Sequence, residues 1–194
     1  HGGDACAFLG TGQIPSEELL FLGALAAYAL AKTYLSFTVR KALLVWILVT
    51  RIFPPVTTAI PYYVTIKRLQ LGDTYTALIL TYVAYGLPFV IWLMLGFFQE
   101  VPAELERAAM IDGCSAWQRF TKIVLPISGP ALVATAILSA ILAWNEFLFA
   151  VMLTRTEAKT LPVVMAGFIT DKGMLWDQMT ALGVVTVLPV LLFA

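Results

Sequence analysis

The feature that most constrains the fold is a polar segment that lies between two long apolar runs. Glu100–Pro126 carries several acidic and basic side chains, whereas Tyr75–Phe98 before it contains none and Gly129–Leu153 after it contains only Glu146. Charged side chains are costly in the hydrocarbon of a bilayer, while apolar runs of this length can cross it. The sequence therefore predicts membrane helices on both sides of an exposed polar loop.

Composition supports this membrane assignment. The 194 residues are 60% hydrophobic and 12% charged, with a mean hydropathy of +0.88, whereas soluble domains have about 45–50% apolar and about 25% charged residues. The net charge of zero argues against nucleic acid as a partner. No Walker A, HExxH or GxSxG motif occurs, and Cys6 and Cys114 have no metal-ligand spacing. We therefore predict no catalytic residue, no metal site and no cofactor bound by this chain.

Local signals predict two helices with a sharp bend between them in residues 99–128, a segment that we call the elbow. Pro102 suits the first turn of a helix, where its missing N–H costs nothing. Gly113 can adopt the left-handed conformation in which many helices end. Ser115 and Gln118 have the spacing of a capping box, which begins a second helix.

Helical periodicity also predicts which elbow side chains share a face. In the first helix this face holds Leu105, Ala108, Ala109 and Asp112, and in the second helix Trp117, Phe120 and Val124. A bent pair of helices with small residues on one face is suited to lie in a groove of a partner protein.

The spacing of short motifs in the elbow resembles the EAA motif of bacterial ABC importer permeases. The adjacent alanines Ala108–Ala109 are followed at the family's spacing by Gly113 and then by Ile123–Pro126. Where the family usually has a glutamate before the alanines, this chain has Arg107, with Glu106 beside it.

Two further segments, Asp112–Ser115 and Trp144–Phe147, are similar to the carbohydrate-uptake branch of that family, the maltose-type second permease. The likeness extends from about Gly23 to the C-terminus. It implies an all-α polytopic membrane protein of the bacterial inner membrane, present here as a fragment of a six-helix permease. The elbow would then be a cytoplasmic two-helix coupling loop. Loop charges show almost no positive-inside bias, so the resemblance alone gives this orientation.

In that family the coupling loop docks on the ATPase subunit, so the resemblance implies a role in ATPase coupling for ten elbow residues. These are Glu104, Glu106, Arg107, Ala108, Ala109, Asp112, Gly113, Trp117, Phe120 and Pro126. The implied partners are a second permease subunit, an ABC ATPase dimer and an extracytoplasmic solute-binding protein, besides membrane lipid. ATP and magnesium would be bound by the ATPase, so this chain itself is not expected to be an enzyme.

Apolar runs predict about five spans within a permease domain at residues 19–194. The spans are A at 19–35, B at 42–66, C at 75–98, D at 129–153 and E from 174 onward. Pro54, Pro55 and Pro61 interrupt span B, and Pro88 is expected to kink span C. The apolar stretch 160–169 is too short to span and is expected to form an interfacial or re-entrant helix.

Span A carries a stripe of small residues and follows an atypical N-terminus. Gly23, Ala27 and Ala31 recur at four-residue intervals, which predicts that another helix approaches closely. Residues 1–18 are polar and Gly-rich, without a charged leader followed by an apolar core. We interpret them as foreign sequence or a fragment boundary, with an extracytoplasmic cap as the alternative.

Three polar residues within the spans are candidates for the solute pathway: Arg51 in span B, and Asn145 and Glu146 in span D. Helical periodicity along span D places Glu146 on a face with small residues that include Ala131 and Ser139. An ionisable side chain in such a place either marks a functional site or fixes helix packing. Glu146 is expected to have a polar partner, for which Arg51 is the natural candidate.

These patterns predict the permease subunit of an ABC importer, most simply for a sugar or oligosaccharide. An importer for another solute, such as a polyol phosphate or an amino acid, is the alternative within transport. A non-transport membrane assembly subunit and a membrane enzyme that uses Glu146 or Asp177 as acid or base are alternatives of other classes. The enzyme lacks support because no second catalytic group lies at a motif spacing.

Overall fold

The computed structural model describes residues 16–32, 36–170 and 173–193, and their secondary structure is almost entirely helical. The helices before the elbow are α1 (Ser16–Lys32), α2 (Phe37–Ile52), α3 (Pro55–Arg68) and α4 (Tyr75–Glu100). The elbow contains α5 (Ala103–Ile111), α6 (Ala116–Arg119), a π-helical turn (Phe120–Val124) and α7 (Leu125–Ile127). After it come α8 (Gly129–Trp144), α9 (Leu148–Leu153), α10 (Leu161–Ala166), the strands β1 (Ile169–Thr170) and β2 (Gly173–Met174), and α11 (Trp176–Phe193). Most of the predicted polar N-terminal segment lies outside the described residues.

The described residues pack as two compact units. The first unit takes the residues up to Ile52 together with Val83–Ser139, and the second takes Phe53–Tyr82 together with the residues from Ala140 onward. The first unit has a hydrophobic core in which α1, the C-terminal half of α4 and the π-helical turn of the elbow meet. Its fully buried side chains include Ala27, Val90, Met94, Phe98 and Val124.

The small-residue stripe of span A is confirmed as a site of close helix packing. A Cβ added to Gly23 would lie 2.4 Å from the Val90 Cγ1 atom of α4, a distance that real side chains do not tolerate. Ala27 is completely buried and Ala31 packs against the same core. Small side chains therefore let α1 and α4 approach each other here.

Span B, predicted at 42–66, is divided into two helices at its first prolines. α2 ends before Pro54 and α3 begins at Pro55, while Pro54 itself is extended with φ −56° and ψ 136°. A residue that precedes proline avoids the helical conformation, and both Phe53 and Pro54 are in that position. Pro61 lies inside α3 without ending it.

The prediction of span D as one helix over 129–153 is wrong, because the segment forms two helices. α8 ends at Trp144 and α9 begins at Leu148. The predicted buried face holds as far as Ser139, since Ala131, Thr135 and Ser139 are all buried. The continuation of that face to Glu146 fails, because the helical register is lost at the break.

By length and composition, one described helix, α4, could cross a bilayer, and it runs continuously through Pro88. Two pairs of helices that are bent at a short break pass the same test when each pair is counted as one span. These pairs are Thr38–Ile52 with Pro55–Arg68 and Ala116–Ile127 with Gly129–Trp144, and they would bring the number to three. The predicted number of five spans stays a prediction.

The predicted interfacial helix at 160–169 is present in shortened form as α10, which ends at Ala166. After it the chain forms a small antiparallel hairpin, in which Ile169 pairs with Met174 and Thr170 with Gly173. This hairpin was not predicted, because two-residue strands are too short to show the alternation by which strands are recognised.

Candidate functional site

The bend of the elbow is built by the residues that the sequence indicates. Gly113 has φ +78°, and its N–H donates to the Met110 carbonyl at 3.1 Å. The next N–H, that of Cys114, donates to the Ala109 carbonyl at 2.9 Å. These two bonds form a Schellman motif, which satisfies carbonyls at the end of α5. The predicted left-handed glycine is therefore confirmed.

The start of the second elbow helix is also confirmed. The Gln118 N–H donates to Ser115 Oγ at 3.3 Å, and the Ser115 N–H donates to Gln118 Oε1 at 2.8 Å, which completes a capping box. The helix then widens into the π-helical turn before α7. Pro126 follows that turn and cannot donate a backbone hydrogen bond.

Burial divides the ten predicted coupling residues into two sets. Exposed are Glu104, Arg107, Ala108, Asp112, Gly113, Trp117 and Pro126, whereas Glu106, Ala109 and Phe120 are buried. The expected shared face of Leu105, Ala108, Ala109 and Asp112 is thus wrong for Ala109, because Ala109 lies with Glu106 on the buried side of α5. Five large apolar side chains remain at the elbow surface, and Ile111 is 87% exposed: Leu105, Met110, Ile111, Trp117 and Ile127.

The buried side of α5 is joined to α1 by an ion pair. Lys32 Nζ lies 2.9 Å from Glu106 Oε1 and also donates to the Val101 carbonyl at 3.3 Å. The Tyr28 hydroxyl donates to Glu106 Oε2 at 3.4 Å, and the Tyr28 ring lies 4.9 Å from that of Phe120. Sequence reasoning missed this cluster, although Tyr28 and Lys32 lie four residues apart on one face of an apolar helix.

The break between α8 and α9 is organised by Glu146. Its carboxylate accepts hydrogen bonds from the Phe149 N–H at 2.8 Å and the Ala150 N–H at 3.1 Å, both in the first turn of α9. The Tyr82 hydroxyl donates to the same carboxylate at 2.8 Å. The expectation that Glu146 has a polar partner is confirmed, and Tyr82 is such a partner. The carboxylate thus satisfies N–H groups that a helix start leaves unpaired.

The other two solute-pathway candidates lie in different surroundings. The Arg51 guanidinium, in the first unit, lies over the Tyr85 ring at 4.9 Å and over the Phe89 ring at 5.4 Å, as in cation–π contacts. Its buried Nη1 atom donates no hydrogen bond within the described part of the chain. Asn145, in the second unit, is exposed and donates to the Ile141 carbonyl at 2.8 Å. Arg51 thus lies against aromatic rings within the first unit, and its pairing with Glu146 stays a prediction.

A second carboxylate that sequence reasoning missed joins two loops of the second unit, residues 69–74 and 154–158, which we call the loop pair. The Asp73 carboxylate accepts from the N–H groups of Arg155, Thr156, Glu157 and Ala158 and from the Thr156 hydroxyl, at 2.8–3.4 Å. Burial acts to raise the pKa of Asp73, but these hydrogen bonds outweigh it and hold the pKa well below its usual value. Asp73 has φ +60°, a conformation that aspartate tolerates better than most residues.

Comparison with known proteins identifies the same family as the elbow motifs predict. The family model described as "binding-protein-dependent transport system inner membrane component" matches residues 20–194. A probable ABC transporter permease protein, y4oR, of Sinorhizobium fredii is 46% identical over 91% of this chain and 62% of its own length. The trehalose/maltose transport system permease protein MalG of Thermococcus litoralis is 37% identical over 89% of this chain and 62% of its own.

The solved structures give the same result. A bacterial ABC transporter involved in the import of the acidic polysaccharide alginate matches with a TM-score of 0.62 and 26% identity, over 94% of this chain and 68% of that chain. The chain spans about three fifths of the length of the curated relatives named above. The resemblance that the elbow motifs indicate is confirmed, and the chain belongs to the family of inner membrane components of binding-protein-dependent transport systems.

Proposed function

We propose that this chain is part of the permease subunit of an ATP-driven importer, and that its solute is a sugar or oligosaccharide. The observation that carries the proposal is the elbow, in which two capped helices meet at a left-handed glycine and leave Leu105, Met110, Ile111 and Trp117 exposed. Exposed apolar side chains clustered on a short helical pair are typical of a surface that a partner protein covers. The family supplies the partner, a separate ATPase subunit that binds ATP and magnesium.

In this proposal the elbow carries motion between the ATPase and the membrane helices. The Schellman motif and the capping box fix the angle between α5 and α6, so that the two short helices move as one body. Closure of the ATPase dimer would displace this body and, through the buried contacts of Glu106, Ala109 and Phe120, the helices of the first unit. A second permease subunit and an extracytoplasmic solute-binding protein would complete the importer.

The sugar assignment rests on the relatives rather than on a binding site. The MalG relative is named for trehalose and maltose, and the matched transporter structure for alginate. Of the solute-pathway candidates, Asn145 keeps an exposed amide that could contact a hydroxyl group. Glu146 has both carboxylate oxygens engaged within the protein, so we assign it to the helix break instead.

The test replaces the glycine on which the elbow geometry depends. Gly113→Val in the full-length protein would put a β-branched side chain at φ +78°, where it is strained, and would re-aim α6 relative to α5. Gly96→Val is the matched control, since that glycine lies inside α4 and an added Cβ there meets nothing within 4 Å.

We expect Gly113→Val to insert in the membrane at normal abundance but to lose co-purification of the ATPase and uptake of labelled trehalose and maltose. The loss should be roughly tenfold or more, as for other coupled transitions, whereas Gly96→Val should retain both. Normal ATPase binding and uptake by Gly113→Val would refute the role of the elbow. No uptake by the wild type across a panel of labelled sugars and oligosaccharides, with the ATPase still bound, would refute the sugar assignment alone.

A further inference from the structure

We infer that Lys32 and Glu106 are positioning residues that fasten the elbow to α1, so that a displacement of the elbow is passed to that helix. The inference rests on the proposed function and extends it. It names one side-chain link through which the coupling of ATP hydrolysis to transport would run.

The geometry of the link favours rigid fastening. The Lys32 ammonium contacts Glu106 Oε1 at 2.9 Å and the Val101 carbonyl at 3.3 Å. Val101 lies between α4 and α5, and Glu106 lies one turn into α5. One cation therefore holds both the entry to the elbow and the elbow helix itself, which opposes rotation of α5 about that entry.

Shielding of the pair makes it suited to this role. The Lys32 and Glu106 side chains are only 18% and 9% exposed. A shielded ion pair is weakened less by salt than a surface pair, and separating its two charges leaves each without compensation. Movement of α5 away from α1 would separate the two charges and leave both uncompensated. The two elements are therefore expected to move together.

The same contact could serve packing alone, and the neighbouring aromatic residues supply that alternative. Tyr28 lies against Phe120 and edge-on to Phe98, so rings alone could hold the elbow to α1. The Tyr28 hydroxyl bond to Glu106, at 3.4 Å, is the longest of the cluster. If rings alone hold the elbow, removal of the charges should leave coupling unchanged.

Neutral variants of similar size separate the two possibilities. Glu106→Gln and Lys32→Met each remove one charge and keep most of the side-chain volume, and the double variant removes the pair without leaving a lone charge. Glu100→Gln is the matched control, since Glu100 is an exposed glutamate outside the cluster. Tyr28→Phe keeps the ring and removes only its hydrogen bond.

The experiment uses the full-length protein with its partner permease, ATPase and binding protein in proteoliposomes. Its two readouts are co-purification of the ATPase and the number of trehalose or maltose molecules taken up per ATP hydrolysed. Both single variants and the double variant are expected to keep the ATPase bound and to lose uptake per ATP by roughly tenfold. The double variant should be no worse than the more damaging single variant, because all three break one link. Glu100→Gln should match the wild type and Tyr28→Phe should change uptake per ATP by less than about threefold.

Two results would overturn the inference. Wild-type uptake per ATP in the double variant would mean that ring packing alone holds the elbow. Loss of ATPase binding and protein abundance in parallel with uptake would mean that the pair only stabilises the fold. A wild-type complex that does not bind or use the ATPase would instead refute the proposed function, so the two failures are distinguishable.

Discussion

The elbow and the loop pair are each fastened by one carboxylate, yet the two carboxylates use different partners. Glu106 faces a lysine ammonium and a phenol, both side chains of α1. Asp73 accepts mainly from backbone N–H groups of residues 155–158. The first contact joins two helices that are already formed by local signals, whereas the second orders a segment that has no regular secondary structure of its own.

The two regions therefore depend on different parts of the sequence for their structure. Removal of Glu106 leaves the caps of α5 and α6 in place, because their hydrogen bonds are made within the elbow. Removal of Asp73 leaves several N–H groups of the loop pair without their acceptor. The elbow is therefore expected to depend on burial of its inner side, and the loop pair on one charged side chain.

The largest effect should come from a charge placed on the buried side of the elbow. Ala109→Asp puts a carboxylate at a position that is 4% exposed and should destabilise the folded protein by about 3 kcal/mol or more. Ala108→Asp, on the exposed side of the same helix, should change the free energy of unfolding by at most about 0.5 kcal/mol. Denaturant unfolding in detergent micelles measures both.

Equal stability of these two variants would contradict the assignment of Ala109 to the buried side. The stability of the two variants also decides how a loss of ATPase binding in each is interpreted. Loss of ATPase binding in Ala109→Asp would follow from misfolding, whereas the same loss in Ala108→Asp would indicate a contact surface.

A smaller effect is expected when the loop pair loses its carboxylate. Asp73→Ala removes the acceptor of four N–H groups and one hydroxyl, and should cost about 1–3 kcal/mol of local stability because water can replace part of the loss. The measurement is the rate of tryptic cleavage after Arg155 in detergent-solubilised protein, which should rise. Glu157→Ala is the control, because Glu157 contributes its backbone N–H to the network and the variant keeps that group. Equal cleavage of both variants would show that Asp73 does not order the loop.

Sequence reasoning succeeded in the elbow because every signal there is local. Pro102, Gly113 and the pair Ser115 and Gln118 act on backbone groups within a few residues, so residue type and spacing identify the caps. The prediction of close packing at the small residues of span A succeeded for a related reason, since helical periodicity alone places Gly23 and Ala27 on one face. The family resemblance added the expected partner and the expected orientation, which local signals in the sequence do not contain.

The failures occurred where a distant contact decides the local structure. Asp73 and Thr156 are separated by 83 positions, and no pattern in either loop indicates the other. Span D looked continuous because its residues are apolar on both sides of Asn145. The helix is interrupted there because the Glu146 carboxylate bonds to the N–H groups of the next helix and to Tyr82. Ala109 is buried, and the periodicity of α5 alone does not specify which side of that helix is buried.

The finest test of the comparison uses pH, because it acts on Asp73 without changing the chain. Hydrogen bonding holds the pKa of Asp73 in the folded protein below the value of about 3.9 in an unfolded chain. A lowered carboxyl pKa gives stability that is fully present above the unfolded pKa and is lost as the pH falls through the folded pKa. Backbone protection of Thr156 and Glu157 should therefore stay constant from pH 7 to about pH 4 and decline only below that.

Asp73→Asn keeps one acceptor oxygen and does not titrate, so it should lose about 1 kcal/mol of protection at every pH. Hydrogen–deuterium exchange, corrected for the intrinsic exchange rate at each pH, measures both proteins. A decline of wild-type protection that begins between pH 6 and pH 5 would contradict the lowered pKa, and with it the distinction between the two carboxylates.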